Sequence, residues 1–579
     1  MAQSTHSKYQ ALIGFGLIGV ALAFIYRDIT NHEILRWDDL GYLNNKLVHS
    51  LSLGSIRDIF ASIHFYNWHP ITSLSFALEY AVWEMEPLGY KISNLILHFI
   101  NSLLIYVLSQ QLFESQHLDV QARQRNWYLY ASLFTAFIFA VHPLHVESTV
   151  WIAERKDILC TMFYLGSVIA YLKYAGTNKK WYALCVLSAI FAYLSKPMAI
   201  SLPVVLLLLD IYPLKRIETF NPLTRHNLFL CLEKLPFMIF SFATVIVVLG
   251  SHEPGALQQL PMGSRILIAN DAIIHYMTSV ILPLDLSPFY PITQASLNPG
   301  AGQYTSTLTL IAILLVSIYF ARRNVLAPLI VVLILLVIVS PTIGIVKVGY
   351  QAMADRYAYL STIPVFLLIG NVLPLTIPKL LGRQRILLAV LGAIYCTYLI
   401  GGSSQLVEHW RNDVTLWNKA IDFDPANSQF AHANLAVAYY FKNDLSNAEL
   451  AINRSLAIAP NDLYVLEVAA NLLGLIGENQ KAVEYTLKAL SIDDQVVWAN
   501  NILAQILLGQ GKTEEAVEVY QKILSIDPGN AVATIGVIQI FSDQGQLDRA
   551  EELLSGMSTS NEIYQKAREI VTRGRNLQQ

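Results

Sequence analysis

The feature that most constrains this chain is a succession of long apolar stretches that occupies its first 402 residues. A helix of about 20 apolar residues is long enough to cross the hydrocarbon core of a bilayer. Charged residues make up only 14% of the chain, whereas soluble domains contain about a quarter. The sequence therefore predicts an all-α, polytopic membrane domain with eleven transmembrane helices. They lie near residues 10–26, 93–113, 128–146, 157–174, 181–195, 198–212, 235–250, 305–321, 325–340, 357–377 and 385–402.

The distribution of Lys and Arg predicts the orientation of these spans. The first stretch is long for a signal peptide, so we interpret it as an uncleaved anchor with a cytoplasmic N-terminus. Pairs of cations then fall in or beside cytoplasmic loops, as the positive-inside rule requires. This assignment holds only if a further apolar run, 266–283, does not cross but forms a re-entrant or interfacial helix on the outer side. Eleven crossings place the C-terminal part of the chain outside.

A repeat of 34 residues organises the chain after about residue 413. Ala448, Ala482, Ala516 and Ala550 recur at this interval, and glycines recur with the same period. Paired helices with small residues at their crossing points are typical of tetratricopeptide repeats, which stack into an α-solenoid. The expected domains are a membrane domain at 1–402, a linker and leading partial repeat at 403–428, four repeats at 429–564, and a C-terminal helix or tail at 565–579.

Two adjacent carboxylates follow the first span, in the stretch LRWDDLGYL. Asp38 or Asp39 could cap a short helix that begins at Leu40, where carboxylates are favoured. The alternative is a functional pair at the outer membrane surface, which deprotonates an acceptor hydroxyl or holds a metal ion on a phosphate. The residues alone leave both interpretations open.

Further polar side chains are predicted on the same outer face. The cations Arg155, Lys156, Lys196 and Arg356 lie beside apolar helices, where a charge usually pairs or binds an anion. His69 precedes a proline and either contacts a phosphate or caps a helix. His142, His145 and Glu147 resemble a loose metal-binding spacing, although no third ligand is evident. The other candidates are Asp157, Asp285, Tyr290 and Asp355.

Seven fragments in a fixed order, followed by the repeats, resemble one protein family over nearly the whole chain. The fragments are RWDDLGYL, WHPITSLSFALEY, HFINSLL, VHPLHVESTVWIAERKDIL, SKPMAISLPVVLLLLDIYPL, LPLDLSPFYP and VGYQAMADRYAYL. The family is that of the transmembrane and tetratricopeptide repeat O-mannosyltransferases, in its bacterial form, within the glycosyltransferase C superfamily. The resemblance implies a multi-pass protein of the bacterial inner (plasma) membrane whose repeat domain lies on the extracytoplasmic side.

The resemblance also implies a reaction. An inverting hexosyltransferase would move a sugar, mannose by analogy, from a polyprenyl-phosphate donor to Ser or Thr hydroxyls of exported proteins. Asp38 would be the base and Asp39 its partner, while Arg155, Lys156, Lys196 and Arg356 would stabilise the departing phosphate. No cofactor is predicted, and a divalent metal ion at Asp38 and Asp39 is an alternative. The repeats would bind the acceptor protein or peptide.

Two other functions remain open from the sequence. A glycosyltransferase C enzyme could act on a lipid or polysaccharide acceptor instead of a protein. A membrane-anchored repeat scaffold would have no enzymatic activity, but eleven spans with charges concentrated on one face exceed what an anchor requires. The absence of a P-loop or a glycine-rich dinucleotide motif argues against an ATP-driven transporter, and the net charge of −3 argues against a nucleic-acid-binding protein.

Overall fold

The computed structural model describes residues 2–63, 68–116, 122–176, 179–217, 224–251, 260–292, 300–345, 351–555 and 562–578. Over these residues the secondary structure is helical, and the β-structure is an isolated antiparallel bridge between Pro291 and Gln351. The chain divides into two compact units, Met1–Asp424 and Pro425–Gln579. The predicted all-α fold, a membrane helical domain followed by a repeat solenoid, is confirmed.

The first unit contains nineteen α-helices among its described residues. They are α1 (Ala2–Ile25), α2 (Asp39–Leu43), α3 (Leu53–Ala61), α4 (Pro70–Trp83), α5 (Pro87–Gln116), α6 (Ala122–Ala140), α7 (Val146–Val150), α8 (Arg155–Gly176), α9 (Lys180–Ser195), α10 (Leu202–Ile211), α11 (Arg225–Glu233), α12 (Leu235–Ser251), α13 (Met262–Ser279), α14 (Ala301–Arg322), α15 (Ala327–Val339), α16 (Ala358–Ser361), α17 (Ile363–Thr376), α18 (Gly382–His409) and α19 (Asp413–Phe423).

Each predicted span corresponds to a helix or a bent pair of helices. By length and composition, five helices among the described residues can cross a membrane, or up to eight spans if each of three bent pairs counts as one. The three remaining predicted spans match shorter apolar helices, Lys180–Ser195, Pro197–Ile211 and Ala327–Val339. Helix α13, which contains most of the run 266–283, is not among these candidates, and its position outside the bilayer core stays a prediction.

The polar motifs of the sequence lie at breaks between helices. Lys196 lies between α9 and a 3₁₀ turn at Pro197–Ser201 with extended backbone dihedrals (φ −158°, ψ 139°), because a residue before proline is disfavoured in the helical region. A second 3₁₀ turn, Pro143–His145, separates α6 from α7, a third, Ile152–Glu154, precedes α8, and a fourth, Asp355–Tyr357, precedes α16. The charged residues of the motifs therefore lie at helix ends.

The second unit is a stack of helical pairs. Its helices are α20 (Gln429–Phe441), α21 (Leu445–Ile458), α22 (Leu463–Ile476), α23 (Asn479–Ile492), α24 (Val497–Gly509), α25 (Thr513–Ile526), α26 (Ala531–Asp543), α27 (Leu547–Ser555) and α28 (Glu562–Gln578).

Small residues and glycines fit the pairs together. Ala448, Ala516 and Ala550 are completely buried, which leaves room for close helix crossings. Gly477 and Gly511 end the first helices of their repeats with φ of 98° and 77°, a left-handed conformation that glycine adopts without a steric penalty. The repeat architecture follows from these in-phase positions, while the domain limits given above stay predictions.

Candidate active site

Asp38 occupies the N-cap position of the short helix α2 without acting as a cap. Its side chain forms no capping hydrogen bond, and no residue that the structure describes donates a hydrogen bond to it. The capping interpretation therefore does not account for this carboxylate. Asp38 is partly exposed, so its oxygen lone pairs are available to a ligand.

Asp39 has a different environment, because its carboxylate is fully buried. One oxygen accepts a hydrogen bond from the backbone N–H of Leu35 at 3.0 Å, and the other accepts from the backbone N–H of Ala153 at 2.8 Å. These bonds attach the loop before α2 to the turn before α8, although 114 residues separate Asp39 from Ala153. Asp39 thus fixes the position of Asp38 relative to that turn.

Three cations from separate parts of the chain share the carboxylate of Glu154. Lys156 Nζ lies 2.8 Å and Arg356 Nε 3.4 Å from its Oε1. Lys196 Nζ lies 3.4 Å from its Oε2. The structure therefore brings together three of the four predicted phosphate ligands, and it adds Glu154, which is not among the predicted site residues.

Two more carboxylates complete this cluster, which we call the cation cluster (Glu147, Glu154, Lys156, Asp157, Lys196 and Arg356). Lys196 Nζ contacts Asp157 Oδ1 at 2.6 Å, and Arg356 NH1 contacts Glu147 Oε1 at 2.6 Å. The three cations retain only 7–9% of their surface in contact with the outside. Cations buried to this extent require anionic partners, because removing an isolated ion from water costs roughly several kcal/mol of folding free energy.

Aromatic rings support the cations of the cluster. The Arg356 guanidinium lies 5.4 Å from the Trp151 ring and 5.0 Å from the Tyr357 ring. Lys156 Nζ lies 5.4 Å from the Tyr42 ring. Such cation–π contacts hold a cation in place without neutralising its charge.

The electrostatics of the aspartate pair follow from burial and from the cation cluster. Burial raises the pKa of Asp38; nearby Lys156 opposes that rise, Glu154 adds to it, and Arg356 opposes it. Burial also raises the pKa of Asp39 to about 7, although Lys91 and the two backbone N–H groups favour its ionised form. Asp38 therefore senses the charges of the cluster directly and is a stronger base than an ordinary exposed aspartate.

Lys196 stays charged despite its burial. Burial alone lowers the pKa of this amine, but the carboxylates of Asp157 and Glu154 reverse the effect and raise it above its ordinary value. The cluster thus keeps a permanent cation at the break between α9 and the following 3₁₀ turn.

Arg155, the fourth predicted phosphate ligand, is used elsewhere. Its NH1 pairs with Glu79 at 2.6 Å, its Nε donates to Asn94 Oδ1 at 2.8 Å, and its NH2 donates to the carbonyl of Tyr90 at 2.8 Å. The side chain is completely buried against α4 and α5. These contacts give Arg155 a packing role that the structure does not join to the other three cations.

His69 contacts the aspartate side of the site through Tyr42. The residue precedes α4 but forms no capping bond with its side chain, whereas its Nδ1 lies 3.3 Å from Tyr42 Oη. Because Lys156 faces the Tyr42 ring in a cation–π contact, Tyr42 contacts both His69 and the cation cluster.

Backbone carbonyl groups engage the imidazoles of His142 and His145. His142 Nε2 lies 3.1 Å from the carbonyl of Val280, and His145 Nδ1 lies 2.7 Å from the carbonyl of Phe139. Within the described ranges no group of three or more His, Cys, Asp and Glu side chains could hold a metal ion. Each oxygen of Asp39 accepts a hydrogen bond from a backbone N–H group, and a divalent metal ion at Asp38 and Asp39 stays an untested alternative.

Tyr290 contacts Asp355, the residue that precedes Arg356 in the chain. Tyr290 Oη donates to Asp355 Oδ1 at 2.8 Å, and His275 Nε2 lies 3.2 Å from the same oxygen. Sequence reasoning included Tyr290 and Asp355 but missed His275, whose place within an apolar run was the signal available. Asp285 lies apart in an exposed turn with a positive φ of 54°.

An apolar groove lies among the helices of the first unit. Its empty space is about 840 Å³ with open solvent included, and it is lined by side chains of α5, α8, α10, α15, α16 and α17. Its lining includes Leu360, which follows Arg356 by four residues in the chain, and Tyr212 and Pro213 after α10. The lining run from Ala327 to Ile338 alone corresponds to roughly 16 Å along a helix axis. A groove of this length fits a hydrocarbon chain.

Fold and site together define a polytopic membrane protein with a charged, partly open site at its helix ends and a tetratricopeptide solenoid. Residues 478–561 match the family model of the tetratricopeptide repeat. The chain is 31% identical over 134 residues to the Protein O-mannosyl-transferase F38B6.6 of Caenorhabditis elegans. The matched segment covers 23% of this chain and 18% of that protein.

Two further relatives carry similar names. The identity to the human Protein O-mannosyl-transferase TMTC4 is 30% over 144 residues, 23% of this chain and 19% of that protein. The identity to the Protein O-mannosyl-transferase Tmtc1 of Drosophila melanogaster is 29% over 137 residues, 23% of this chain and 14% of that protein. The matched segments thus span less than a fifth of each of these relatives.

Proposed function

We propose that this chain is a membrane glycosyltransferase that transfers a sugar from a polyprenyl-phosphate donor to Ser or Thr hydroxyls of proteins, with Asp38 as the general base. The observation that carries the proposal is the position of Asp38, an unbonded carboxylate within electrostatic range of Lys156, Glu154 and Arg356. The names of the matched relatives support a protein acceptor and mannose as the sugar.

The proposed reaction assigns one task to each part of the site. Asp38 accepts the proton of the acceptor hydroxyl while the hydroxyl oxygen attacks the anomeric carbon of the sugar. The bond between that carbon and the phosphate oxygen breaks on the opposite face, so the configuration inverts and the lipid phosphate leaves with the electron pair. Lys156, Lys196 and Arg356 stabilise the negative charge that develops on this phosphate.

The cations can bind a phosphate without losing their protein partners. An ammonium has three N–H donors and a guanidinium has five. Lys156 uses one of its donors on Glu154, and Lys196 uses two, on Glu154 and Asp157. The remaining donors and the exposed margin of each side chain are available to the oxygens of a phosphate.

The apolar groove supports a lipid-linked donor. A polyprenyl chain is hydrocarbon throughout, and its burial in an apolar groove is favourable by about 25 cal/mol per Å². Leu360 lines the groove and Arg356 precedes it by four residues in the chain, and we propose that a polyprenyl chain held there carries its phosphate to the cation cluster.

The test is sugar transfer by the purified full-length chain in nanodiscs, with polyprenyl-phosphate mannose and a Ser/Thr peptide. Asp38→Asn should lower the rate by at least about a hundredfold, the typical contribution of a general base. Asp58→Asn, at an exposed aspartate of α3, is the matched control and should leave the rate unchanged. Retained transfer by a folded Asp38→Asn variant refutes the assignment, and transfer to a lipid or polysaccharide acceptor alone would favour the other acceptor class.

The proposed orientation has its own test. We expect the repeats on the extracytoplasmic side, because the positive-inside rule requires it. Protease added to the outside of right-side-out vesicles should digest residues 425–579 while the membrane unit stays protected. Digestion of the repeats only from the cytoplasmic side would refute this location; a twelfth crossing by 266–283 would then place the repeats on the side of the membrane opposite Asp38.

A further inference from the structure

The first helices of the four repeats present equivalent side chains at intervals of 34 residues. Three rows follow this period along α20, α22, α24 and α26. An aromatic row contains Phe430, Tyr464 and Trp498, a second row contains Glu467 and Asn501, and an exposed amide row contains Asn471, Gln505 and Gln539. First helices of neighbouring repeats line the inner surface that repeat proteins use to bind ligands.

The aromatic row is preorganised. The rings of Phe430 and Tyr464 stack with centroids 4.6 Å apart and planes 23° apart. Tyr464 Oη also donates to Asn434 Oδ1 at 3.0 Å. These contacts hold one border of the inner surface in a fixed conformation, so a ligand would find it already ordered.

Glu467 and Asn501 are hydrogen-bond acceptors without partners. The carboxylate of Glu467 is half-buried and has no hydrogen-bonding or ionic partner among the described residues, and burial raises its pKa. Asn501 Oδ1 is buried and accepts no hydrogen bond from the described part of the chain. A buried acceptor without a donor, such as Asn501 Oδ1, is unfavourable, and native proteins rarely keep one without a reason. Both occupy the same position in consecutive repeats.

The charge of the second unit indicates which donors would satisfy them. Residues 425–579 contain eighteen Asp and Glu against eleven Lys and Arg. An acidic surface attracts cationic partners over distances of about 10 Å at physiological ionic strength. The acidic surface therefore attracts a ligand that carries a cation, and the carboxylate of Glu467 stabilises that cation once the ligand is bound.

We propose that the inner surface of the repeats binds an extended polypeptide segment that carries Lys or Arg, with the cation at Glu467 and backbone amides at Asn501 and the amide row. Packed helices lie about 8–10 Å apart, and an extended chain advances about 3.3 Å per residue. Neighbouring repeats would thus contact ligand residues about three positions apart. The inference rests on the proposed function in naming the acceptor class: Ser/Thr-containing segments with nearby basic residues.

The test measures binding of three fluorescent peptides to the full-length chain in nanodiscs. The peptides share their length and their Ser/Thr positions and differ in Lys, Gln or Glu at the intervening positions. The Lys peptide should bind about three- to tenfold more tightly than the Gln peptide, as expected for one partly buried ion pair, and the Glu peptide should bind least. Glu467→Gln should abolish the preference for Lys over Gln, whereas Glu467→Asp should keep it.

Glu484→Gln is the matched control, because it removes the same charge from an exposed position on the second helix α23. It should leave the preference for Lys intact, while Asn501→Ala should weaken all three peptides by a similar factor. An equal effect of Glu467→Gln and Glu484→Gln, or a preference that Glu467→Gln does not change, overturns the inference.

The binding assay also separates this inference from the proposed function. Asp38→Asn should keep the full peptide preference, because it lies in the membrane unit. A Lys preference that depends on Glu467 in a chain without transferase activity would refute the proposed function alone. Transfer activity without any dependence of peptide binding on Glu467 would refute the inference alone.

Discussion

The pair Glu147–Arg356 allows the structural and functional roles of a buried charge to be separated. Arg356 NH1 contacts Glu147 Oε1 at 2.6 Å, and the backbone N–H of Arg356 donates to Oε2 at 3.1 Å. Glu147 is only 2% exposed. Arg356→Gln removes the cation and leaves this carboxylate with the backbone N–H alone. Breaking a buried pair from one side costs about 3–5 kcal/mol, so we expect a clearly destabilised protein.

The other variants complete a double-mutant cycle. Glu147→Gln should cost less than Arg356→Gln, because Arg356 keeps Glu154 at 3.4 Å as a second anion. The double variant Glu147→Gln/Arg356→Gln replaces the pair with two neutral amides, a change that is often nearly neutral for stability. The coupling energy between the two sites should therefore be at least about 2 kcal/mol, within the range measured for contacting residues.

The assay is thermal unfolding of the full-length chain in detergent, followed by sugar transfer by the same samples. The double variant should unfold near the wild-type temperature and above the Arg356→Gln variant. It should nevertheless transfer sugar at least about tenfold more slowly, since the phosphate loses a cation. Two outcomes would refute the reasoning: a double variant that unfolds as early as Arg356→Gln, or one that recovers both stability and transfer.

Three further predictions concern the base, its neighbour and the groove. Asp38 must be ionised to accept a proton and its pKa is raised, so transfer should be lost as the pH falls through a value above that of an ordinary aspartate. Lys156→Gln removes a cation that lowers this pKa and should move the acid limb of kcat/KM to higher pH. Asp39→Asn keeps one of two acceptor oxygens and should lower kcat while preserving binding of the donor, measured with a labelled lipid phosphate. Ile334→Trp should fill the apolar groove and raise the KM for a long-chain donor more than for a short-chain donor, whereas Leu315→Trp, at an exposed position of α14, should change neither.

Repeats and membrane helices could be predicted from the sequence because each depends on local periodicity. Ala448 and its equivalents recur every 34 residues, and each one is buried where a helical pair closes. Apolar stretches likewise form helices wherever their length suits a bilayer. Both signals come from residues that are close together in the chain, so no knowledge of distant contacts is needed.

The division of roles between Asp38 and Asp39 could not be predicted, because it depends on a distant residue. Asp39 is bonded to the backbone of Ala153, which lies 114 positions away. The same limit explains why the sequence groups Arg155 with Lys156, although their contacts in the structure differ. Successive residues at the start of α8 point about 100° apart around its axis, and only packing decides that Arg155 contacts Glu79 while Lys156 contacts Glu154.

A second charged cluster shows why the cation cluster is the better candidate for a ligand site. Asp210, at the far end of α10, accepts hydrogen bonds from Tyr171 at 2.7 Å and Arg216 at 3.1 Å and also pairs with Lys234. Tyr171 lies fifteen residues after Lys156 on α8, roughly 22 Å along the helix.

The two clusters differ in whether their charged groups remain available to a ligand. Asp210 and Lys234 are both completely buried, and the oxygens of Asp210 are shared among a tyrosine, an arginine and a lysine, so the carboxylate of this cluster is fully engaged. Lys156, Lys196 and Arg356 keep an exposed margin and spare donors, and they lie near a carboxylate that no described residue engages. Closed ion networks of the first kind hold helices together, whereas cations that retain free donors beside an unengaged base can bind a charged substrate and react with it.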